Sequence, residues 1–157
     1  MKIKSSAFVK IVLVLLISVS MQESALNAVT LTGLKVEYSS TPIGIDVEKP
    51  RFSWQMAAED NQRNVYQSAW QIIVTDKEGK ITWDSRKNEG SVSIGIEYDG
   101  TPLKARTRYN WKVTVWDQSG LSNTSESWFE TGLMNTGISA WSGAQWIGGR
   151  NEDLVLY

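Results

Sequence analysis

The chain has 157 residues, with 16 Lys and Arg against 17 Asp and Glu, and neither histidine nor cysteine. Those two absences exclude a disulfide framework, thiolate metal sites, the usual zinc ligand sets and any Ser-His-Asp or Cys-His nucleophile system. They also exclude the lipidated cysteine of a bacterial lipoprotein.

Residues 1–20 have the pattern of a secretory leader. Lys2, Lys4 and Lys10 precede or border the apolar run IVLVLLISV at 11–19. Ser18 and Ser20 stand at the −3 and −1 positions of a signal-peptidase cut, with Ala25 and Ala28 as alternative sites. This nine-residue run falls short of the roughly 20 apolar residues that a spanning helix needs. The expectation is export with cleavage and no stable membrane anchor. Losing the three lysines moves the net charge from −1 to −4. An acidic domain without a basic cluster repels phosphate backbones, so nucleic acid is not an expected partner.

From residue 29 onward the sequence is written in strands. Residues 30–38 alternate Leu34, Val36 and Tyr38 along one face, and 39–44 break the run at Pro42. Residues 51–55 (RFSWQ) form a short strand, followed by a polar loop at 57–64. In 67–75, Trp70, Ile72 and Val74 share one face, with Gln71, Ile73 and Thr75 on the other. A turn at 77–80 leads to a short strand at 81–85 that contains Trp83. A strand at 92–98 ends at the turn pair Asp99-Gly100. Residues 107–117 give the clearest alternation: Tyr109, Trp111, Val113 and Val115 inward, Asn110, Lys112, Thr114 and Trp116 outward. A loop at 118–124 precedes a last strand at 126–133. About seven short strands over 29–134, with no sustained helical spacing, predict an all-β antiparallel two-layer sandwich.

Residues 135–144 are small and polar and read as a linker. From Gln145-Trp146-Ile147 a new unit is expected to open, with a strand beginning at 153–157, so 135–157 is read as a linker plus the first strand of a following β-sandwich. Trp141 and Trp146 are the expected anchors of that linker.

Leu103-Lys-Ala-Arg-Thr107-Arg-Tyr109 resembles the fibronectin type III signature, in which a tyrosine fills the corner between two sheets and its hydroxyl bonds the backbone upstream. Ala105 stands where that signature has proline. Trp54 falls where such domains place a core tryptophan. A wider resemblance rests on GLKVEY, TPIGIDVEKPRFSWQ, AWQIIV, WDS, SIGIEYDGTPLKARTRYNWKVTVWD, WFETGL and W-x4-WI. In this order and spacing they resemble the N-terminal module of bacterial α-L-rhamnosidases of glycoside hydrolase family 78. The resemblance implies a following carbohydrate-binding-like sandwich and, later in the polypeptide, an (α/α)6 barrel bearing the catalytic glutamates. No position here matches those catalytic motifs, so no catalytic residue and no cofactor is expected in this chain. The bacterial resemblance puts the exported product in the periplasm or outside the cell.

Three features invite sharper readings. Asp46 with Glu48, Asp76 with Glu78, and Glu97 with Asp99 are spaced like carboxylate pairs, but each lies in or beside a turn where acids are simply solvated. Asp46 and Glu48 are too few for a calcium loop. Asn123-Thr124-Ser125 matches a glycosylation acceptor by chance in a bacterial protein. Among the eight tryptophans, Trp54, Trp70 and Trp111 fall on inward faces and belong to the core. Trp116 on an outward face and Trp83 on an edge strand are the candidates for contact with a neighbouring domain or a sugar. The expected role is a non-catalytic structural module of an exported α-L-rhamnosidase, whose parent removes terminal L-rhamnose from plant polysaccharides or glycosides. Its expected partners are the downstream domains of the same polypeptide and, through Trp83 or Trp116, a rhamnose-containing glycan. The alternative is a stand-alone carbohydrate-binding or protein-adhesion sandwich.

Overall fold

The computed structural model describes residues 29–58, 63–135 and 137–145. The expected leader, Trp146 and the strand expected at 153–157 lie outside the described residues. Nine strands occur among those described: β1 (Thr30–Val36), β2 (Ile43–Ile45), β3 (Arg51–Ala57), β4 (Gln67–Thr75), β5 (Ile81–Asp84), β6 (Asn88–Glu89), β7 (Ile96–Glu97), β8 (Arg108–Asp117) and β9 (Ser122–Thr131). The smaller sheet runs β1-β3-β7. The larger runs β2-β9-β8-β4-β5, with β6 also paired to β4. The two-layer sandwich expected from the alternation is present; the count rises from about seven because β2 and β6, strands of three and two residues, were not expected.

The core fills the space between the sheets with aromatic rings. On β8, Tyr109, Trp111, Val113 and Val115 are all buried, as the alternation predicts. Phe52 lies 4.8 Å from Trp111 and 5.9 Å from Phe129, and Tyr109 stacks on Phe129 at 5.3 Å. Trp54 is buried and meets the half-buried Trp70 at 5.9 Å. Rings of this size carry most of the apolar area that a chain without disulfides must bury to stay folded.

Five local expectations need correction. Tyr38 does not continue the inward face of β1: Glu37 and Tyr38 both take positive φ, 47° and 67°, so the strand ends at Val36 and the Tyr38 ring turns outward under Arg51. Earlier in the same strand Gly33, at φ 58°, forms a bulge where the register with β3 shifts, and this is what lets Leu31 and Leu34 both approach the core three positions apart. The break expected at 39–44 contains β2, a short strand that leaves the smaller sheet and pairs parallel to β9. Pro42 fits there because its missing donor is not needed while its carbonyl accepts from the Glu130 amide at 2.9 Å.

The strand expected over 92–98 shrinks to Ile96–Glu97. Gly95 turns at φ 72° and donates to the Ser53 hydroxyl, so a side chain replaces the ladder and Val92 and Ile94 stay exposed. The last strand starts at Ser122, earlier than expected. Asp117 closes the preceding turn by accepting from the amides of Ser119 and Leu121, at 2.8 and 3.0 Å, and the whole length of β8 is thereby paired. In the stretch read as a linker, Ile138–Trp141 forms one turn of 3-10 helix.

Candidate functional site

The residues singled out at the corner meet at one end of the sandwich. β8 begins just after a tight turn in which Arg106 takes φ 51°. That turn points the Tyr109 ring into the core and returns its hydroxyl to the backbone, where it accepts from the Lys104 amide at 2.8 Å. Leu103 is buried beside it. Thr107 caps its own turn by donating to the Ala105 carbonyl at 2.9 Å, and its amide donates to the Thr131 hydroxyl at 2.9 Å. Thr131 in turn donates to the Lys104 carbonyl at 2.6 Å, so the end of β9 is stapled to the corner. The fibronectin-like corner is therefore built despite Ala105 in place of proline.

The chain leaves the sandwich at this same end, and two side chains hold it there. Asp46 accepts from the Met134 amide at 2.6 Å. Gly132 stands so close to that carboxylate that a Cβ would lie 2.5 Å from its oxygen. Arg106 donates to the Ala140 carbonyl at 2.5 Å. Beside Met134 opens a cavity of about 330 Å³ lined by Glu48, Lys49, Tyr98, Gly100, Pro102, Leu103 and Met134. Tyr98 forms its inner wall and donates its phenol to the Thr101 carbonyl at 2.7 Å; burial holds that phenol above its ordinary pKa. Lys49 and Asp99 pair at 3.0 Å on the exposed rim, where such a bridge contributes little. Next to the rim Glu37 accepts from Arg51 through its backbone amide, Nε and Nη2, at 2.7, 3.1 and 2.8 Å. Those bonds hold the Glu37 carboxyl below its ordinary value.

The outer face of the larger sheet is the second candidate surface. Trp116 lies on it, half-buried, with the Lys87 ammonium 4.9 Å above its ring. Trp128, which the sequence reading did not single out, lies on the same face with the Arg108 guanidinium at 4.0 Å. The signal was available: Trp128 alternates with the inward Phe129 and faces Asn110 across the strand pair. Trp83 behaves differently from expectation. It pairs with Val74 across β4 and β5, so its ring points to the inside and packs on Phe52 and Tyr98 at 5.8 and 5.4 Å. An edge strand exposes its backbone edge, not both of its faces, and Trp83 is on the covered one. Trp141 is 44% exposed on the segment that follows the corner.

One acid of each pair has a structural partner. Asp76 accepts from the amides of Glu78 and Lys80, Asp46 from Met134, and Asp99 pairs with Lys49. Among the described residues no three carboxylates converge on one point. The Asn123 side chain donates to the Val29 carbonyl at 2.5 Å, so the acceptor motif is engaged in structure. Among the described residues, what the geometry offers is a shaped end and an exit held by two side-chain hydrogen bonds.

Residues 31–135 match the family model of the Rha78A-like, N-terminal immunoglobulin domain. The chain is 42% identical over 128 residues to an α-L-rhamnosidase of Streptomyces avermitilis, covering 78% of this chain and 12% of that protein. It is 43% identical over 116 residues to an α-L-rhamnosidase of Formosa agariphila, covering 69% of this chain and 12% of the relative. Among solved structures, the Streptomyces avermitilis α-L-rhamnosidase complexed with L-rhamnose superposes with a TM-score of 0.66 at 42% identity, over 73% of this chain and 11% of that one. The chain thus spans about an eighth of the length of these curated relatives.

Proposed function

Since the chain belongs to the Rha78A-like N-terminal immunoglobulin domain family, we propose that it is the non-catalytic front module of an exported α-L-rhamnosidase and that it sets the position of the domain that follows. The observation that carries this reading is the double clamp on the exit, Asp46 to Met134 and Arg106 to Ala140. A freely jointed linker would need neither bond. Ordering residues costs about 1–2 kcal/mol each in backbone entropy, and a fixed exit direction is what that ordering achieves.

Hydrolysis of terminal α-L-rhamnose from plant polysaccharides or glycosides belongs, in this reading, to a barrel elsewhere in the parent. There two carboxylates act by inversion, one as general acid and one as the base that activates water. The leader pattern at 1–20 supports delivery to the periplasm or the cell exterior. The module's working partners are then the other domains of its own polypeptide.

The test is an assay with an aryl α-L-rhamnoside. This chain alone is expected to release no phenol, and the parent polypeptide is expected to release it. Turnover by the chain alone would sink the non-catalytic reading; an inactive parent would sink the assignment to a rhamnosidase.

A further inference from the structure

The end of the sandwich where the chain exits has two properties that belong together. Its cavity is walled by core residues, Tyr98 at 2% and Leu103 at 9% exposure, so the hydrophobic interior reaches the surface at this point. One lip of that cavity is Met134, the residue that Asp46 fixes at the exit. Beyond it the chain has not left this end by Ala140, which Arg106 still holds. In between, Ile138 stands 89% exposed, and Val47, next in sequence to the lining residue Glu48, is 43% exposed. The two outward indoles of the larger sheet, by contrast, are each already covered by a cation.

Given the proposed function, on which this step rests, we infer that the cavity bounded by Tyr98, Pro102, Leu103 and Met134 is the seat of the next domain of the parent polypeptide. That domain inserts an apolar side chain into it, with Ile138 and Val47 at the margin of the same contact. Three considerations commit the site to this occupant. The module is about an eighth of the length of its relatives, so most of such a polypeptide lies outside it. The clamped exit keeps the following chain at the end of the sandwich where the cavity opens, so a domain tethered there is present at high effective concentration without any affinity of its own. The wall is apolar while the rim carries the Lys49–Asp99 pair and Glu48, the composition of an interdomain contact with an apolar centre and a polar edge.

Hydrogen exchange read by mass spectrometry on the parent polypeptide and on this chain alone tests it. The expected result is exchange slowed by about tenfold or more at 98–103 and 131–138 in the parent, with residues 117–121 at the opposite end unchanged as the internal reference. Parent Pro102→Glu, which puts a charge on the exposed rim, is expected to return that exchange to the isolated rate while leaving the melting of the isolated chain unaltered. Equal exchange in both proteins overturns the inference, as does protection confined to the face bearing Trp116 and Trp128. Aryl rhamnoside turnover by the same parent sample separates the two failures. An active parent with an unprotected end removes only the docking site; an inactive one removes the proposed function.

Discussion

Gln67 accepts the indole N–H of Trp54 on its side-chain oxygen at 2.9 Å, and both residues are buried between the sheets. The same amide donates to the carbonyls of Gly90 and Val92, at 3.1 and 2.9 Å. One side chain thus ties the core tryptophan to the irregular segment ahead of β7. Trp111, equally buried, has no hydrogen-bond partner for its indole nitrogen.

That difference separates two otherwise matched substitutions. Trp54→Phe and Trp111→Phe remove the same ring volume, but only the first leaves a buried acceptor unmet. Trp54→Phe is expected to cost about 1–2 kcal/mol more than Trp111→Phe, and urea unfolding of the two variants measures it. Equal losses would mean that the Gln67 bond contributes nothing net.

The corner tyrosine gives a second test. Tyr109→Phe keeps the ring on Phe129 and deletes only the oxygen that receives the Lys104 amide. A loss of about 1–3 kcal/mol is expected, since the amide is left without its acceptor. An unchanged melting curve would show that the corner is held by packing and by the Thr131 bonds alone.

Gly100 is required for space, because its φ is ordinary. A Cβ there would sit 2.4 Å from the Thr82 carbonyl oxygen and 2.6 Å from the Trp83 side chain. Gly100→Ala must push the 98–101 loop away from β5, at about 1–3 kcal/mol, and the Thr101 amide bond to Thr82 should loosen with it. Gly79, which has open space but a φ of 81°, should lose less on the same change. Thermal unfolding of the two alanine variants ranks them.

The acid limb of the stability curve should trace to Glu37 and Asp84. Glu37 is held below its ordinary 4.5 first by the Arg51 side chain, and Asp84 below its ordinary 3.8 first by the Gln71 amide, at 2.7 Å. A carboxyl depressed in the folded state adds stability above its unfolded value and loses it as pH falls through the folded one. Stability is therefore expected to decline below about pH 4.5. Glu37→Gln with Asp84→Asn should flatten that decline while lowering stability at pH 7. Denaturant midpoints measured from pH 7 to pH 2 decide it, and an unaltered acid slope in the double variant would assign the loss to other groups.

Much of this protein is readable from the chain because a strand has a period of two. Once one face of 108–117 is apolar, Tyr109, Trp111, Val113 and Val115 must go in together and Trp116 must go out. The corner was legible through its resemblance to the fibronectin type III signature, a local device in which Tyr109 and Thr107 find the Lys104 amide and the Ala105 carbonyl within five residues, whereas the bond from Thr107 to Thr131 was not. The exclusion of thiol and histidine chemistry needed composition only. What stayed hidden depends on pairing between distant segments. Trp83, on a strand expected at the edge, was a candidate for outside contact until its partner across β4 was known to be Val74. Asp46 looked like a solvated turn acid, and its bond to Met134 spans 88 positions. The crossing of β2 to the larger sheet and the cavity beside Met134 have no local signature either, because a turn residue's conformation and a cavity's walls are set by which strands arrive next to each other. Local alternation determined the faces; only the tertiary structure, through register and chain closure, decided which neighbours those faces met.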